Sequence, residues 1–128
     1  MTVINQENES IDRPEILPGS THKIKTPLSE HALYVTINDI EIDGVRHPYE
    51  IFINSKNMEY FQWIAALTCV ISANFRKGGD IAFLAEELKS VHDPKGGYFK
   101  KGGVFMPSLV AEIGCTIERH LKAKRQIL

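Results

Sequence analysis

The stretch ALYVTINDIEIDGVRHPYEIFIN, Ala32 to Asn54, decides the fold. Leu33, Val35 and Ile37 alternate with polar or aromatic neighbours, Asp43-Gly44 sits midway, and Tyr49 to Ile53 resumes a β-branched and aromatic run. Alternation with a period of two on both sides of an Asp-Gly pair predicts a long antiparallel β-hairpin, because these two residues accept the positive φ values of a two-residue type I′ turn. Leu33, Val35 and Ile37 share one parity while Ile40 and Ile42 take the other. That slip predicts a bulge or a switch of buried face near Asn38-Asp39. Upstream, His22 to Thr26 reads as a third, edge strand, ended by Pro27 and carrying lysines that discourage further pairing.

Outward from the hairpin the period changes. Phe61, Ile64, Ala65, Thr68, Ile71, Ser72 and Phe75 recur at helical spacing and predict a helix from about Asn57 to Arg76, stopped by Gly78-Gly79. Cys69 lies beside that stripe and reads as a small core residue. Asp80 is an N-cap for a second helix with Ile81, Leu84, Ala85, Leu88 and Val91 on one face, ended by Pro94. A third helix has Pro107 in its first turn and Met106, Leu109, Val110, Ile113, Ile117 and Leu121 on one face, with Glu112, Glu118, Arg119 and Lys122 elsewhere. Two hairpin strands cannot bury a face alone, so two or three C-terminal helices must pack across one side of the sheet. The expected class is α+β, in the order β-β-α-α-α. Residues 1–20, polar and then proline-containing, are expected to form a flexible arm, and residues 21–128 a single domain.

A chain of 128 residues with 43% hydrophobic and 24% charged residues suits one soluble domain with a core that needs no staple. Cys69 and Cys115 stand far apart, in neither a dithiol nor a zinc-ligand spacing, which fits a reducing compartment. No apolar run is long enough to span a bilayer, and the N-terminus has no secretory pattern, so the expectation is a cytoplasmic protein without a membrane partner. The net charge is −1, yet residues 1–64 hold five basic against ten acidic groups and residues 65–128 ten against six. Such asymmetry marks an anion-facing surface or arises in any mixed-charge domain.

The most unusual local feature is a repeated tripeptide: Lys77-Gly78-Gly79, Lys95-Gly96-Gly97 and Lys101-Gly102-Gly103. Glycine pairs let backbone amides converge on an anion and lysines add charge, so a phosphate contact is one reading. The other is structural: a helix C-cap for the first copy, and a tight hairpin-like loop from Pro94 to Gly103 for the others. None has the spacing of a P-loop or a dinucleotide fingerprint. His22, His31, His47, His92 and His120 show no metal-ligand spacing, and His92 and His120 read as helix C-terminal residues. No catalytic residue, metal or cofactor is assigned. Glu86-Glu87 point about 100° apart on a helix and cannot share a proton. The basic tail from Arg119 to Arg125 lacks interleaved aromatics, which argues against nucleic acid. Cys115 falls opposite the apolar stripe, where a partner or a second layer would cover it, and a homodimer through the hairpin or the third helix would be one such cover.

Longer stretches carry a likeness. Arg13-Pro14-Glu15, Leu17-Pro18-Gly19, Lys23 to Pro27, Tyr34 to Asp39, Phe52 to Asn57, Asp93 to Tyr98, Lys100 to Gly103, Met106 to Gly114 and Ile117 to Leu121 together resemble the TSCPD-type small domain associated with adenosylcobalamin-dependent, class II ribonucleotide reductases. That resemblance implies a domain found at the end of a large reductase chain, as a separate small chain, or standing alone. The namesake Thr-Ser-Cys-Pro-Asp string is absent, and residues 1–128 contain no counterpart of the family's cysteine-rich tail, so its zinc or dithiol role is not carried over. The radical, cobalamin and nucleotide sites belong to the large barrel, and no residue here inherits them. The expected function is a non-catalytic accessory or regulatory module in nucleotide metabolism, contacting a protein partner such as a reductase large chain. Its contact or phosphate-binding region is expected at Lys95, Gly96, Gly97, Tyr98, Lys100, Lys101, Gly102 and Gly103. The alternatives are a nucleotide- or phosphate-sensing domain at the same residues, or a small inhibitor from a mobile element.

Overall fold

The computed structural model describes residues 12–27, 30–56 and 61–127. Strands β1 (Gly19–Ile24), β2 (Leu33–Ile42) and β3 (Val45–Ser55) form an antiparallel sheet in the order β1-β2-β3. Helices α1 (Phe61–Arg76) and α2 (Ile81–Lys89) follow. A short pair, β4 (Tyr98–Phe99) and β5 (Phe105–Met106), precedes α3 (Leu109–Ile127). The class is α+β, with the third strand present at the sheet edge and shifted toward the N-terminus relative to His22–Thr26.

Asp43 and Gly44, with φ of 54° and 80°, make the two-residue turn that joins β2 to β3. The register slips between Asn38 and Asp39: Asn38 opposes Glu50 while Asp39 opposes Pro48, leaving Tyr49 as the extra residue of a bulge. One face of the sheet, with Ile24, Leu33, Val35, Ile37 and Ile51, meets Ile64, Ile71 and Phe75 of α1 and Ile113 and Ile117 of α3 in a single core. The Ser72 hydroxyl of α1 accepts from the Ile51 amide at 3.1 Å, which occupies the outer edge of β3 with a side chain rather than another strand.

Helix ends follow local chemistry. Beyond α1 the Gly78 amide donates to Phe75 O and the Gly79 amide to Asn74 O, with Gly78 at φ 74°, a Schellman closure. The first Lys-Gly-Gly copy is therefore a helix cap. Asp80 caps α2 by accepting from the Phe83 amide at 3.0 Å. Ser108 caps α3, its Oγ accepting from the Ala111 amide at 3.0 Å and donating to Val91 O at 2.6 Å. Pro107 accordingly precedes the cap instead of lying in the first turn. The part of the first helix expected over residues 57–60 lies outside the described residues, as do residues 1–11 of the expected arm. Within residues 12–18, Arg13 grips Glu50 through two hydrogen bonds of 2.9 Å, and Pro18 O accepts from the Asp39 amide at 2.7 Å.

Three readings of helix faces need correction. Phe61, Ala65 and Cys69 are exposed: the buried residues of α1 are Ile64, Ile71, Ser72 and Phe75, with Trp63 and Leu67 packed partly buried against the core. Val91 lies beyond the end of α2 and is 40% exposed. Glu112, read as outside the apolar stripe of α3, is 1% exposed. Helix α3 is covered on two sides: the sheet and α1 take Ile113 and Ile117, while α2 packs at Gly114. A Cβ at Gly114 would lie 2.9 Å from Ala85 O and from the Leu88 Cβ, so only glycine lets the two helices approach this closely. Helix α2 is thus the second layer over Cys115, whose thiol is pushed above its ordinary value by burial.

Candidate functional site

The second and third Lys-Gly-Gly copies fold into one protruding hairpin. The Lys95 amide donates to Asp93 Oδ1 and the Gly96 amide to Asp93 O, which turns the chain after Pro94. Tyr98 and Phe99 then pair with Met106 and Phe105, and the connection between them closes through Lys100 N–H to Val104 O and Gly103 N–H to Lys100 O. Gly96, Gly102 and Gly103 have positive φ. Gly97 is required for a different reason: a Cβ there would sit 2.1 Å from Met106 O and 2.7 Å from the Phe105 ring.

Below the hairpin lies a buried polar lock. Tyr98 donates from its hydroxyl to Glu112 Oε1 at 2.5 Å, and the Lys100 ammonium donates to Glu112 Oε2. Burial, reinforced by the neighbouring carboxylate, drives the Tyr98 phenol well above its usual range, so the hydroxyl stays protonated and donates. The side chains of Tyr98 and Lys100 thus face inward, whereas Lys95, Lys101, Gly102 and Gly103 are exposed and Gly96 lies at the exposed turn. Sequence reasoning placed Tyr98 and Lys100 in this loop but missed Glu112. The available signal was a carboxylate in the first turn of a helix starting just after a lysine-rich loop.

Above the lock the hairpin carries an apolar cap. Phe99 is 68% exposed and Phe105 50%, with ring centroids 5.1 Å apart and planes tilted by 60°. Val104 between them is also exposed. At the hairpin's base, where the Asp93 amide donates to Pro107 O, a cleft of about 240 Å³ opens between Trp63 of α1, Val91 and Leu109.

A second buried network joins α3 to the sheet. Asp39, fully buried, accepts from Arg46 Nη2 at 2.9 Å and from His120 Nε2 at 3.0 Å. His120 Nδ1 meets Ser20 Oγ at 3.0 Å, and Ser20 Oγ meets His22 Nε2 at 2.9 Å. The set is satisfied when His22 donates to Ser20, Ser20 to His120 and His120 to Asp39. Burial, with His120 nearby, lowers the His22 pKa. His120 is therefore not a helix-end residue: it lies within α3 and points into the sheet. His92 lies past α2 in a loop, its Nδ1 donating to Ser90 O. Among the described residues no group of three His, Cys, Asp or Glu is placed to hold a metal ion, and no helix is long and apolar enough to cross a membrane.

A three-stranded sheet with helices on one face and a pinned aromatic hairpin at the start of the last helix defines a small α+β domain of the kind the sequence resembles. The family model of the TSCPD domain matches residues 5–121, and the chain belongs to that family. No curated protein and no solved structure matches it.

Proposed function

We propose that this domain is a non-catalytic accessory or regulatory module that acts by protein contact, with a ribonucleotide reductase large chain as the partner and the β4–β5 hairpin as the contact. The observation that carries this reading is the exposed pair Phe99 and Phe105 on a loop held from beneath by Tyr98, Lys100 and Glu112. Exposed aromatics on a preorganised loop are the residues on which interfaces concentrate their binding energy. Lys95 and Lys101 flank the pair and supply steering charge. The partner follows from the likeness of the chain to the small domain of class II reductases. The amides of Lys95, Gly96, Lys100 and Gly103 donate within the loop itself, which favours a protein contact over a phosphate cradle at these residues. In the Ser20–His120–Asp39 row Asp39 also serves Arg46, which favours a structural strut.

The test is surface-immobilised binding of the purified domain to a cobalamin-dependent reductase large chain. Phe99→Ala and Phe105→Ala should each weaken the complex at least ~10-fold, with unchanged far-UV circular dichroism. No complex at low salt, or variants that bind like the parent, would overturn the proposal.

A further inference from the structure

Among the described residues, nothing covers the face of the sheet turned away from the helices at the free ends of the strands. Its residues follow from the register. Lys23, Tyr34 and Asn54 lie side by side across β1, β2 and β3, and the next row holds Thr21, Thr36 and Phe52. One step beyond the last ladder pairs in the other direction stand Lys25, Ala32 and Lys56. The first and last of these rows, with Glu30, His31 and Ser55, line an open cavity of about 580 Å³. Among the described residues its charged lining is three lysines against the single carboxylate of Glu30, whose backbone oxygen accepts from Lys25 Nζ at 2.7 Å. Among the described residues no carboxylate pairs with Lys23 or Lys56. Tyr34 and Phe52, both nearly half exposed, stand diagonally on adjacent strands, a placement that leaves about 7–8 Å between them.

We infer that this cavity is a binding site for a mononucleotide, with its phosphate held by Lys23 and Lys56 and its base stacked on Tyr34. Lys56 stands one row from Tyr34, two residues or about 6.6–6.8 Å along the strand, which matches the reach from a phosphate across a ribose to a base, and Lys23 flanks Tyr34 on β1. Ammonium groups and an exposed aromatic face within one row of each other are the two elements such a ligand needs. The Asn54 amide beside Tyr34 can both donate to and accept from a base edge. The charge also selects a compact anion over a strand. Beyond Lys23 the face turns neutral at Thr21 and Thr36, and it ends at Glu50 under Arg13, so a polyanion would find no continued basic track. This site lies apart from the β4–β5 hairpin and does not depend on the protein-contact reading.

Isothermal titration of the intact chain with AMP, GMP, CMP and UMP tests the assignment, with adenosine, inorganic phosphate and a ten-nucleotide single strand as the other arms. At least one mononucleotide should bind, and adenosine and phosphate should each bind at least ~10-fold more weakly, since each supplies only half of the contacts. Lys23→Gln combined with Lys56→Gln should reduce affinity at least ~10-fold, and Tyr34→Ala roughly 5- to 100-fold. All three side chains are at the surface, so an unchanged melting temperature should accompany the loss. Four results overturn the inference: no binding by any mononucleotide at millimolar concentration, phosphate binding as tightly as the nucleotide, binding that survives both sets of substitutions, or a steeply salt-dependent preference for the single strand.

Discussion

Replacing Glu112 by alanine should be among the most damaging single changes in the domain, and its magnitude can be worked from the contacts. The carboxylate is buried and has two donors: the hydroxyl of a buried tyrosine and an ammonium whose side chain keeps about a quarter of its surface. Losing a hydrogen bond from a buried neutral donor to a charged acceptor costs about 1.5–3 kcal/mol. The ion pair adds less, because Lys100 can rehydrate, and removal of the side-chain methylenes leaves a small void worth about 1 kcal/mol. The expected loss is about 3–4 kcal/mol, or roughly 10–15 °C in melting temperature for a domain of this size. Glu112→Gln keeps an acceptor for Tyr98 and should lose about half as much. The triple change Tyr98→Phe, Lys100→Met, Glu112→Leu removes donors and acceptor together and should return to within about 1–2 kcal/mol of the parent, since an apolar replacement strands no polar group. Urea denaturation followed by circular dichroism reads all three. A Glu112→Ala loss below about 1 kcal/mol would refute the reasoning, because the carboxylate would then have to be solvated.

Two further outcomes follow from packing and protonation. Gly114→Ala should destabilise by about 1–3 kcal/mol despite alanine's better helix propensity, because the new methyl meets backbone atoms of α2 at 2.9 and 3.0 Å and one helix must shift; thermal denaturation checks this. Stability should fall in two stages on acidification. The folded state holds the His22 pKa below 6.5 through burial, so the unfolded chain takes up the proton first and stability declines as pH drops below about 6.5. Hydrogen bonds from Arg13 hold the Glu50 pKa below 4.5, so its contribution persists above that value and is lost as pH falls through the lower folded pKa. Melting temperatures between pH 3 and 8 should show both stages, the first absent in His22→Gln and the second reduced in Arg13→Ala.

The hairpin, its turn, the bulge and the α2 cap were legible because each is a local rule expressed in adjacent residues: Asp43-Gly44, the parity slip at Asn38-Asp39, and Asp80. The loop at Lys95 to Gly103 was legible as a loop for the same reason. Burial of Glu112, Asp39 and His120 was not, since each depends on a partner distant along the chain. Asp39 meets a residue 81 positions away, and nothing in its immediate neighbours announces that contact. Periodicity assigned α3 a single apolar stripe, but the helix is enclosed by the sheet, α1 and α2, and enclosure on several sides erases the contrast on which that reading depends. The exposed cluster of Lys23, Lys25, Lys56 and Tyr34 was hidden for a different reason: it comes from three strands and exists only once their register is known.

The two buried polar locks on α3 solve a problem that its apolar residues create. Ile113, Ile117 and Leu121 repeat every four residues, so a slide of α3 by one turn would reseat an aliphatic side chain near each of the same sites. Glu112 and His120 are eight residues apart, about 12 Å along the axis, and each meets one specific partner set, the first in the hairpin and the second in the sheet. A slide in either direction brings Thr116 into one of those positions. In either case Tyr98 and Lys100 lose their carboxylate and Asp39 loses its histidine. Both arrangements leave buried polar groups unpaired, a penalty that the equivalence of the aliphatic residues cannot offset. Register is thereby fixed at two points along the same rigid rod. The hairpin bearing Phe99 and Phe105 is held near its start and the bulged strand β2 further along it, so the position of the proposed contact surface relative to the sheet is set by chemistry inside the core.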